Sequence, residues 1–233
     1  MIGNVIVGQS GGPTSVINAS LVGVYKTALD MGADKIYGMI NGMYGFLDEK
    51  YVNLKDCIQN DLEIELLKRT PSSYLGSCRF KLPDYNIDEE PYIKAFNLLK
   101  KLDIKYFFYI GGNDSMDTLS KMGAYGRKIG SDIRFVGVPK TIDNDLEGTD
   151  HTPGFGSAAK YIGSVMKEVI RDNKVYGSDL IAVVEIMGRN AGWLTAASAL
   201  SKAEDCEGPE MILLPEITFD PEKFLNETVQ RHK

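Results

Sequence analysis

One stretch of the chain, residues 106–145, constrains the possible folds most strongly. It holds two short apolar runs, 106–110 and 135–138, with an amphipathic segment between them. Each run is too short for a stable helix and is followed by turn-forming residues, which is typical of a buried strand. Two strands joined through a helix form a parallel βαβ unit, whose functional loops follow the carboxyl ends of its strands. The stretch therefore predicts an α/β fold with a site at one edge of a parallel sheet.

The same patterns recur along the chain and extend this fold. Further strands are predicted at residues 5–8, 35–40, 180–186 and 211–214. Helices are predicted over residues 87–102, over about 157–171, from Trp193 onward, and from an Asp220 cap followed by Pro221. On the first of these helices, Ile93 is expected on the buried face. We expect a parallel-sheet, three-layer αβα domain, with a second domain only begun or missing, because the last helix is cut short.

Composition and charge exclude several classes of function. A net charge of −6 gives no general attraction to nucleic acid or to anionic lipid. The cysteines Cys57, Cys78 and Cys206 are odd in number and far apart, which fits a reducing compartment. With His151 and His232 as the only histidines, no zinc cluster is expected. No signal peptide or membrane-length apolar run is present, so we expect a cytoplasmic protein without nucleic-acid or membrane partners.

Four loops at predicted strand ends carry the candidate site residues. Gly11 and Gly12 precede a helix, where free N–H groups and the helix dipole favour an anion. Such turns are as often glycine-rich for packing alone, so both interpretations stay open. Arg79 lies in a loop of small residues and could bind a phosphate in bidentate fashion. A solvated surface charge is the more common role of such an arginine.

The residues of these loops suit phosphoryl transfer better than acyl transfer. They supply Lys140, Arg189 and several aspartates, with no histidine or cysteine at a matching place. Phosphoryl transfer requires positioning, positive charge, a metal and a base rather than a strong nucleophile. An extended backbone would point Asp143 and Asp145 to the same side, so that one accepts a hydroxyl proton and the other helps to hold Mg²⁺. A loop capped by its own aspartates is the alternative.

Three of these segments together resemble the signature loops of the phosphofructokinase family. They are Gly111-Gly112-Asn113-Asp114-Ser115, Pro139-Lys140-Thr141-Ile142-Asp143-Asn144-Asp145 and Met187-Gly188-Arg189. The similarity extends to Gly11-Gly12, Tyr44-Gly45, Leu75-Gly76-Ser77 and Arg79, so it covers the whole chain. Members of the family transfer a phosphoryl group to the 1-hydroxyl of fructose 6-phosphate. The resemblance implies a soluble glycolytic enzyme that uses Mg²⁺.

The resemblance also implies a role for individual residues. Asp143 would be the general base. The sugar phosphate would contact Thr141, Ile142, Asp143, Met187, Gly188 and Arg189. The phosphoryl donor would contact Gly11, Gly12, Tyr44, Arg79, Gly112 and Ser115. Mg²⁺ would be held by Asn113 and Asp145, although the family usually carries an aspartate at the first of these positions. Residues 1–145 would form the donor-binding domain, and residues 146–233 the truncated start of the sugar-phosphate portion.

Two further catalytic positions, Asp114 and Lys140, indicate which donor is used. Members that use ATP carry glycine at both, whereas members that use pyrophosphate carry an acidic residue and a lysine. An aspartate at 114 would repel the additional phosphate of ATP, and Lys140 would stabilise the leaving phosphate. We therefore expect pyrophosphate as the donor, and we expect Asp114 and Lys140 to face one crevice.

Three alternatives remain at this stage. The first is an ATP-dependent phosphofructokinase, and the second is a catalytically inactive binding or regulatory member. The third, a dinucleotide-binding oxidoreductase, lacks the Gly-x-Gly-x-x-Gly pattern. The full-length protein is expected to form a homodimer or homotetramer, and residues 1–233 alone are expected to be poorly active, because few basic groups are available for the sugar phosphate.

Overall fold

A mostly parallel sheet organises the first part of the chain in this computed structural model, which describes residues 2–176 and 180–231. Its strands are β1 (Asn4–Gln9), β2 (Ile36–Met39), β3 (Tyr51–Asn53), β4 (Ile104–Gly111) and β5 (Arg134–Pro139). Their spatial order is β3-β2-β1-β4-β5. All neighbouring pairs are parallel except β2 and β3, which run antiparallel. The predicted α/β class is confirmed, and the short antiparallel edge strand β3 was not predicted.

Helices cover both faces of this sheet. The helices of the described residues are α1 (Ile17–Asp30), α2 (Gly42–Leu47), α3 (Leu54–Cys57), α4 (Asp61–Arg69), α5 (Glu90–Lys101), α6 (Asn113–Lys128), α7 (Phe155–Asn173), α8 (Trp193–Ala197) and α9 (Pro221–Arg231), with a 3₁₀ helix at Ser198–Ser201. Along β1, Val5 and Val7 are buried in one apolar cluster with residues of α1, α3 and α4. Ile6, which lies between them, is buried in a second cluster with residues of α5 and α6. The alternation produces the expected three-layer αβα arrangement.

The chain divides into two compact units, Met1–Lys140 and Thr141–Lys233. The sheet and both of its apolar clusters belong to the first unit. A smaller cluster of Ala159, Leu194 and Ala197 lies in the second unit, where α7 packs on α8 and the 3₁₀ helix. No helix among the described residues combines the length and the apolar character needed to cross a membrane.

Two predicted strands, residues 180–186 and 211–214, are wrong. Both segments are irregular chain, and neither pairs with a strand of the described residues. The side chains of residues 180–185 are exposed, with Ile181 61% and Val183 80% accessible, whereas those of residues 211–214 are mostly half-buried. An apolar run becomes a strand only where another strand supplies partners for its N–H and C=O groups. The apolar pattern was real, but the described residues contain no partner strand for it.

One predicted helix differs from the structure in detail, and the start of another is confirmed. The helix expected over 87–102 spans Glu90–Lys101, with Pro91 in its first turn, where a missing N–H costs nothing. Ile93 is 48% exposed rather than buried, and Tyr92 and Ala95 occupy the buried face instead. The Asp220 cap is confirmed, because its Oδ1 accepts hydrogen bonds from the N–H groups of Glu222 and Lys223 at 3.0 Å each.

The side chain of Phe107 provides a test of the sheet-centred core. It is fully buried, and its ring packs 5.2 Å from that of Phe135. Replacing Phe107 by alanine should lower the free energy of unfolding by about 3–5 kcal/mol, since it removes buried area and leaves a cavity. Urea unfolding followed by far-UV circular dichroism measures this, with Ile87→Ala, at an 86% exposed position, as the control. A loss below about 1 kcal/mol in Phe107→Ala would contradict this description of the core.

Candidate active site

The sheet register places three loop starts along one edge of the first unit. Gln9 at the end of β1 pairs with Ile110 of β4, and Gly111 pairs with Pro139 at the end of β5. The ladder continues one residue further on each side. The N–H of Ser10 donates to the Ile110 carbonyl at 2.9 Å, and that of Lys140 donates to the Gly111 carbonyl at 3.0 Å. The glycine turns and Lys140 therefore begin side by side, as predicted from the βαβ pattern.

Lys140 places its ammonium group against both glycine turns. A Cβ atom on Gly11 would lie 3.3 Å from Lys140 Nζ, and one on Gly112 would lie 3.9 Å from it. Gly11 also has a φ of +76°, in the left-handed region where a side chain causes strain. The lysine is only 4% exposed. A cation held this closely against two exposed or half-buried backbone turns adds local positive charge in an otherwise acidic protein.

The second turn leads directly into a long helix. Gly112 is the residue before α6, and its carbonyl accepts the N–H groups of Ser115 and Met116. Ser115 is buried, whereas Asn113 and Asp114 are exposed in the first turn. The helix dipole and the first N–H groups of α6 thus face the loop that carries these side chains. By contrast, α1 begins only at Ile17, so Gly11 and Gly12 lie several residues before its first turn.

Asp114 has a partner that the sequence did not suggest. Its Oδ1 lies 3.6 Å from Lys81 Nζ, and the two side chains are 70% and 78% exposed. We expected Asp114 to face a crevice, whereas its side chain is largely exposed to solvent. Its charge is therefore screened by water more strongly than that of a buried group. Lys81 follows Arg79 by two residues, and two basic residues so close together in one loop could have suggested a partner for an acidic side chain such as Asp114.

The loop that carries Arg79 is fixed to the first glycine turn through its backbone. The N–H of Gly11 donates to the Cys78 carbonyl at 3.0 Å, and the Ser77 hydroxyl donates to the Gly11 carbonyl. The Ser10 hydroxyl donates to the same Cys78 carbonyl at 3.2 Å. Arg79 itself is exposed. The structure thus brings the backbone of Arg79 close to the first glycine turn and leaves its side chain accessible.

Cys78 joins this loop to α2, which carries the exposed Tyr44. Burial acts to raise the pKa of the Cys78 thiol, but hydrogen bonds from the backbone N–H groups of Tyr44 and Phe80 and from two hydroxyl groups outweigh it. The pKa of this thiol therefore lies below its ordinary value. Those hydroxyls belong to Tyr109, with its Oη 3.7 Å from the sulfur, and to Ser10. The sequence analysis used Cys78 only as an indicator of redox compartment and missed this contact.

In the second unit, residues 141–154 form a closed loop. The Thr141 N–H donates to the Pro153 carbonyl at 3.1 Å, and the Thr152 hydroxyl donates to the Thr141 carbonyl at 2.8 Å. Asn144 closes the loop from inside, accepting from the Thr152 N–H at 2.8 Å and donating to the Asp150 carbonyl at 3.0 Å. The loop is thus held by an asparagine and two threonines.

The two candidate site aspartates of this loop, Asp143 and Asp145, have different environments. Asn144 adopts a left-handed φ of +58°, so the extended backbone that we expected between them is wrong. Asp143 is half-buried, and its Oδ1 atom is inaccessible to solvent. Its N–H donates to the Thr141 hydroxyl at 3.0 Å. Asp145 is exposed. The side chain of Asp143 is therefore more shielded from solvent than that of Asp145.

The segment Met187-Gly188-Arg189 lies in the same unit as this loop. Ile142 and Ile186 pack against the same cluster of Ala159, Leu194 and Ala197. The predicted sugar-phosphate residues are therefore attached to one small core. Gly188 has a φ of +128°, and a Cβ atom there would lie 2.4 Å from the Ala191 carbonyl oxygen, so only glycine fits. Met187 and Arg189 are both exposed.

The protein supplies few metal ligands of its own. Among the residues that the structure describes, no three histidine, cysteine or acidic side chains gather as a metal site. The two predicted ligands, Asn113 and Asp145, are exposed, and each carries a side-chain oxygen. Mg²⁺ in phosphoryl-transfer sites commonly keeps several waters and takes substrate phosphates with only one or two protein oxygens. Such a sparse donor set fits a magnesium ion that arrives bound to a phosphate.

Comparison with known proteins places this geometry in context. A family model described as phosphofructokinase matches residues 4–233. The chain is 44% identical over 226 residues to a pyrophosphate–fructose 6-phosphate 1-phosphotransferase of Rhodospirillum rubrum. It is 33% identical over 225 residues to an ATP-dependent 6-phosphofructokinase of Glaesserella parasuis. The crystal structure of a pyrophosphate-dependent phosphofructokinase from Nitrosospira multiformis superimposes with a TM-score of 0.88 at 40% identity.

The matches cover nearly all of this chain but only part of each relative. The alignment with the Rhodospirillum protein includes 97% of this chain and 54% of that protein. The Nitrosospira structure covers 99% of this chain, which corresponds to 57% of that structure, and for the Glaesserella protein the two shares are 97% and 64%. The chain therefore spans a little over half the length of these relatives.

The closed loop of residues 141–154 can be tested without assuming any activity. Asn144→Ala removes both side-chain hydrogen bonds. It also places alanine in a left-handed backbone conformation, which asparagine tolerates better because its side chain can bond to the nearby backbone. Each change costs on the order of 1 kcal/mol, so protection of the Thr152 amide against hydrogen exchange should fall about tenfold or more. Asp145→Ala, at the exposed neighbouring position, is the control. Unchanged protection in Asn144→Ala would mean that this side chain does not close the loop.

Proposed function

Because the chain belongs to the phosphofructokinase family, we propose that its protein transfers a phosphoryl group from pyrophosphate to the 1-hydroxyl of fructose 6-phosphate. The products would be fructose 1,6-bisphosphate and phosphate. The observation that carries the choice of donor is the position of Lys140. Its buried ammonium group lies against the two glycine turns, at 3.3 Å from the Cβ position of Gly11. A positive charge at this place can stabilise a small, highly charged leaving group.

The first unit would bind the donor. The turn at Gly112 and the first N–H groups of α6 offer backbone donors and the positive end of the helix dipole. Arg79, held on the loop that is bonded to Gly11, can bind phosphate oxygens in bidentate fashion. Tyr44 and Ser115 would complete the contacts around the phosphates. Most of these groups are backbone amides, which cost little reorganisation when a rigid inorganic ligand arrives.

The second unit would bind and activate the sugar phosphate. Thr141, Ile142 and Asp143 would contact the sugar together with the segment from Met187 to Arg189. Asp143 would accept the proton of the 1-hydroxyl while the oxygen of that hydroxyl group forms a new bond to phosphorus. The bridging P–O bond of pyrophosphate would break, and the leaving phosphate would take the bonding electrons. Lys140 would balance the negative charge that develops on that phosphate.

Magnesium would bind together with the phosphoryl donor. Asn113 and Asp145 would hold Mg²⁺, which neutralises charge on the phosphoryl oxygens when it is bound. The substitution of an amide at 113 for the carboxylate usual in the family leaves one negative charge fewer on the protein. Homo-oligomer formation, in a dimer or a tetramer, stays a prediction.

Asp114 would distinguish pyrophosphate from ATP. It extends from the first turn of α6 beside the turn at Gly112, so a longer polyphosphate chain would meet its carboxylate. The repulsion acts at an exposed side chain that also pairs with Lys81, so it is screened. The ATP-dependent alternative is favoured by the 33% identity to the Glaesserella enzyme. The higher identity to the Rhodospirillum protein supports pyrophosphate.

The role of Asp143 as the base predicts a specific kinetic defect. In the full-length protein, Asp143→Asn should lower kcat by roughly 10²–10⁴-fold with little change in either KM, since an amide cannot accept the proton. Initial rates of fructose 1,6-bisphosphate formation measure this. Asp150→Asn is the matched control, because its side chain is exposed and its carbonyl still accepts the Asn144 hydrogen bond. Normal turnover by Asp143→Asn would assign the base elsewhere, and an equally slow Asp150→Asn would indicate a damaged loop.

The choice of donor is tested by comparing kcat/KM for pyrophosphate and ATP at one free Mg²⁺ concentration. The unmodified enzyme should use pyrophosphate and hardly use ATP. Asp114→Gly should gain measurable ATP activity, because like-charge repulsion is removed. Lys140→Met should lose roughly 10²-fold or more with pyrophosphate, since the leaving phosphate is no longer stabilised.

A remote lysine provides the control for this comparison. Lys128 is the last residue of α6, far along that helix from Gly112, and it pairs with Glu89. Lys128→Met therefore removes the same charge without changing the glycine turns. Its kcat/KM values should match those of the unmodified enzyme with both donors. Comparable use of ATP by the unmodified enzyme would refute pyrophosphate as the donor.

A further inference from the structure

Two neutral amides are buried beneath the loop that carries Arg79. Gln9 is the last residue of β1 and Asn18 is the second residue of α1, and both are 0% exposed. Neither belongs to the set of residues assigned to the substrates. A buried amide without partners costs a folded protein a few kcal/mol, so its hydrogen bonds indicate what it holds in place.

The amide groups of these two residues form one connected set of hydrogen bonds. Gln9 Nε2 donates to Asn18 Oδ1 at 2.9 Å and to the Ile17 carbonyl at 3.3 Å. Gln9 Oε1 accepts from the Leu75 N–H at 2.9 Å. Asn18 Oδ1 also accepts from the Tyr74 N–H at 3.0 Å, and its Nδ2 donates to the Thr70 carbonyl at 2.9 Å. Three of these five bonds therefore end on the backbone of residues 70–75.

The segment held in this way has no helix or strand to support it. Residues 70–89 lie between α4 and α5 as turns and irregular chain. Leu75 is anchored a second time, because its carbonyl accepts the Asn41 N–H at 2.8 Å. The chain then continues through Ser77 and Cys78, which bond to Gly11, to the exposed Arg79. The amide set thus holds the start of this segment, and the bonds from Asn41 and to Gly11 hold the part that leads to Arg79.

We propose that Gln9 and Asn18 are positioning residues for pyrophosphate: they order the loop of residues 70–79 before the ligand arrives. This inference rests on the proposed function. An arginine on a disordered loop would lose conformational freedom when it binds a phosphate, and that loss weakens binding. A loop that is already ordered avoids most of this loss. The amide of Gln9 suits the task because it donates at one end and accepts at the other.

Two variants of Gln9 separate positioning from charge. Gln9→Glu keeps the shape of the side chain but removes the amide N–H groups that donate hydrogen bonds to Asn18 and Ile17. It also adds a negative charge close to the proposed anion site. Gln9→Met keeps a similar volume without charge or hydrogen bonds. Asn4→Asp is the matched control at the opposite end of β1, where Asn4 Nδ2 donates to the Leu102 carbonyl at 2.8 Å and Oδ1 accepts from the Lys35 N–H at 3.1 Å.

The first measurement reports the order of the loop without depending on activity. The alkylation rate of Cys78 by iodoacetamide is followed by peptide mass mapping in the full-length protein, with the buried Cys206 of the second unit as internal reference. In both Gln9 variants, Cys78 should react about tenfold faster or more, as expected from the loss of two hydrogen bonds in Gln9→Glu and of three in Gln9→Met. Cys206 should react at its original rate in all proteins. An unchanged Cys78 rate in Gln9→Met would overturn the proposal.

The second measurement is the KM for each substrate. Both Gln9 variants should raise the KM for pyrophosphate about tenfold and change that for fructose 6-phosphate less than twofold. Asn4→Asp should change neither. An equal rise in both KM values, or a rise in Gln9→Glu alone, would overturn the positioning role by indicating general damage or simple charge repulsion. If the unmodified enzyme does not use pyrophosphate, the proposed function fails, and the Cys78 rates still decide whether Gln9 orders the loop.

Discussion

The last hydrogen bond of the β4–β5 ladder is the interaction on which the position of Lys140 beside the glycine turns depends. The Lys140 N–H donates to the Gly111 carbonyl at 3.0 Å, one residue beyond the paired ends of the two strands. This bond fixes the backbone of Lys140 beside the turn at Gly112. The corresponding bond from Ser10 to Ile110 fixes the turn at Gly11. A slip of one residue in either ladder would turn Lys140 away from the glycine turns.

Burial of Lys140 follows from the same constraint. A lysine is rarely inaccessible to solvent, since desolvating its charge is costly. Here its backbone follows β5, the strand at one edge of the sheet, and Gly11 and Gly112 leave room for its side chain because they have none. The two glycines therefore form the turns and also leave space for the lysine side chain. This dependence links an ordinary parallel sheet to a preorganised positive charge, which is the arrangement that electrostatic catalysis requires.

The two units achieve order in different ways. In the first unit, strands and two large apolar clusters fix the site, and side chains such as Arg79 and Asp114 extend from a rigid frame. In the second unit, the backbone of Asp143 is held by a closed loop and by the small apolar cluster on which Ile142 packs. A site held by a few hydrogen bonds is more sensitive to single substitutions than one held by a large core. Exposed apolar side chains around residues 180–186 belong to this less densely packed unit.

The sequence by itself determined the α/β class, the βαβ unit and the glycine turns, because each depends on local periodicity and on residues that tolerate few backbone conformations. The signature segments also identified the family, since their residues are contiguous. Tertiary structure alone decided that Asp114 pairs with Lys81, that Cys78 contacts Tyr109, and that Gln9 holds the backbone of Leu75. These partners are far apart in sequence, and only the folded sheet brings them together. For the same reason the apolar runs at 180–186 and 211–214 were wrongly predicted as strands, since a strand requires a neighbour that no local pattern supplies.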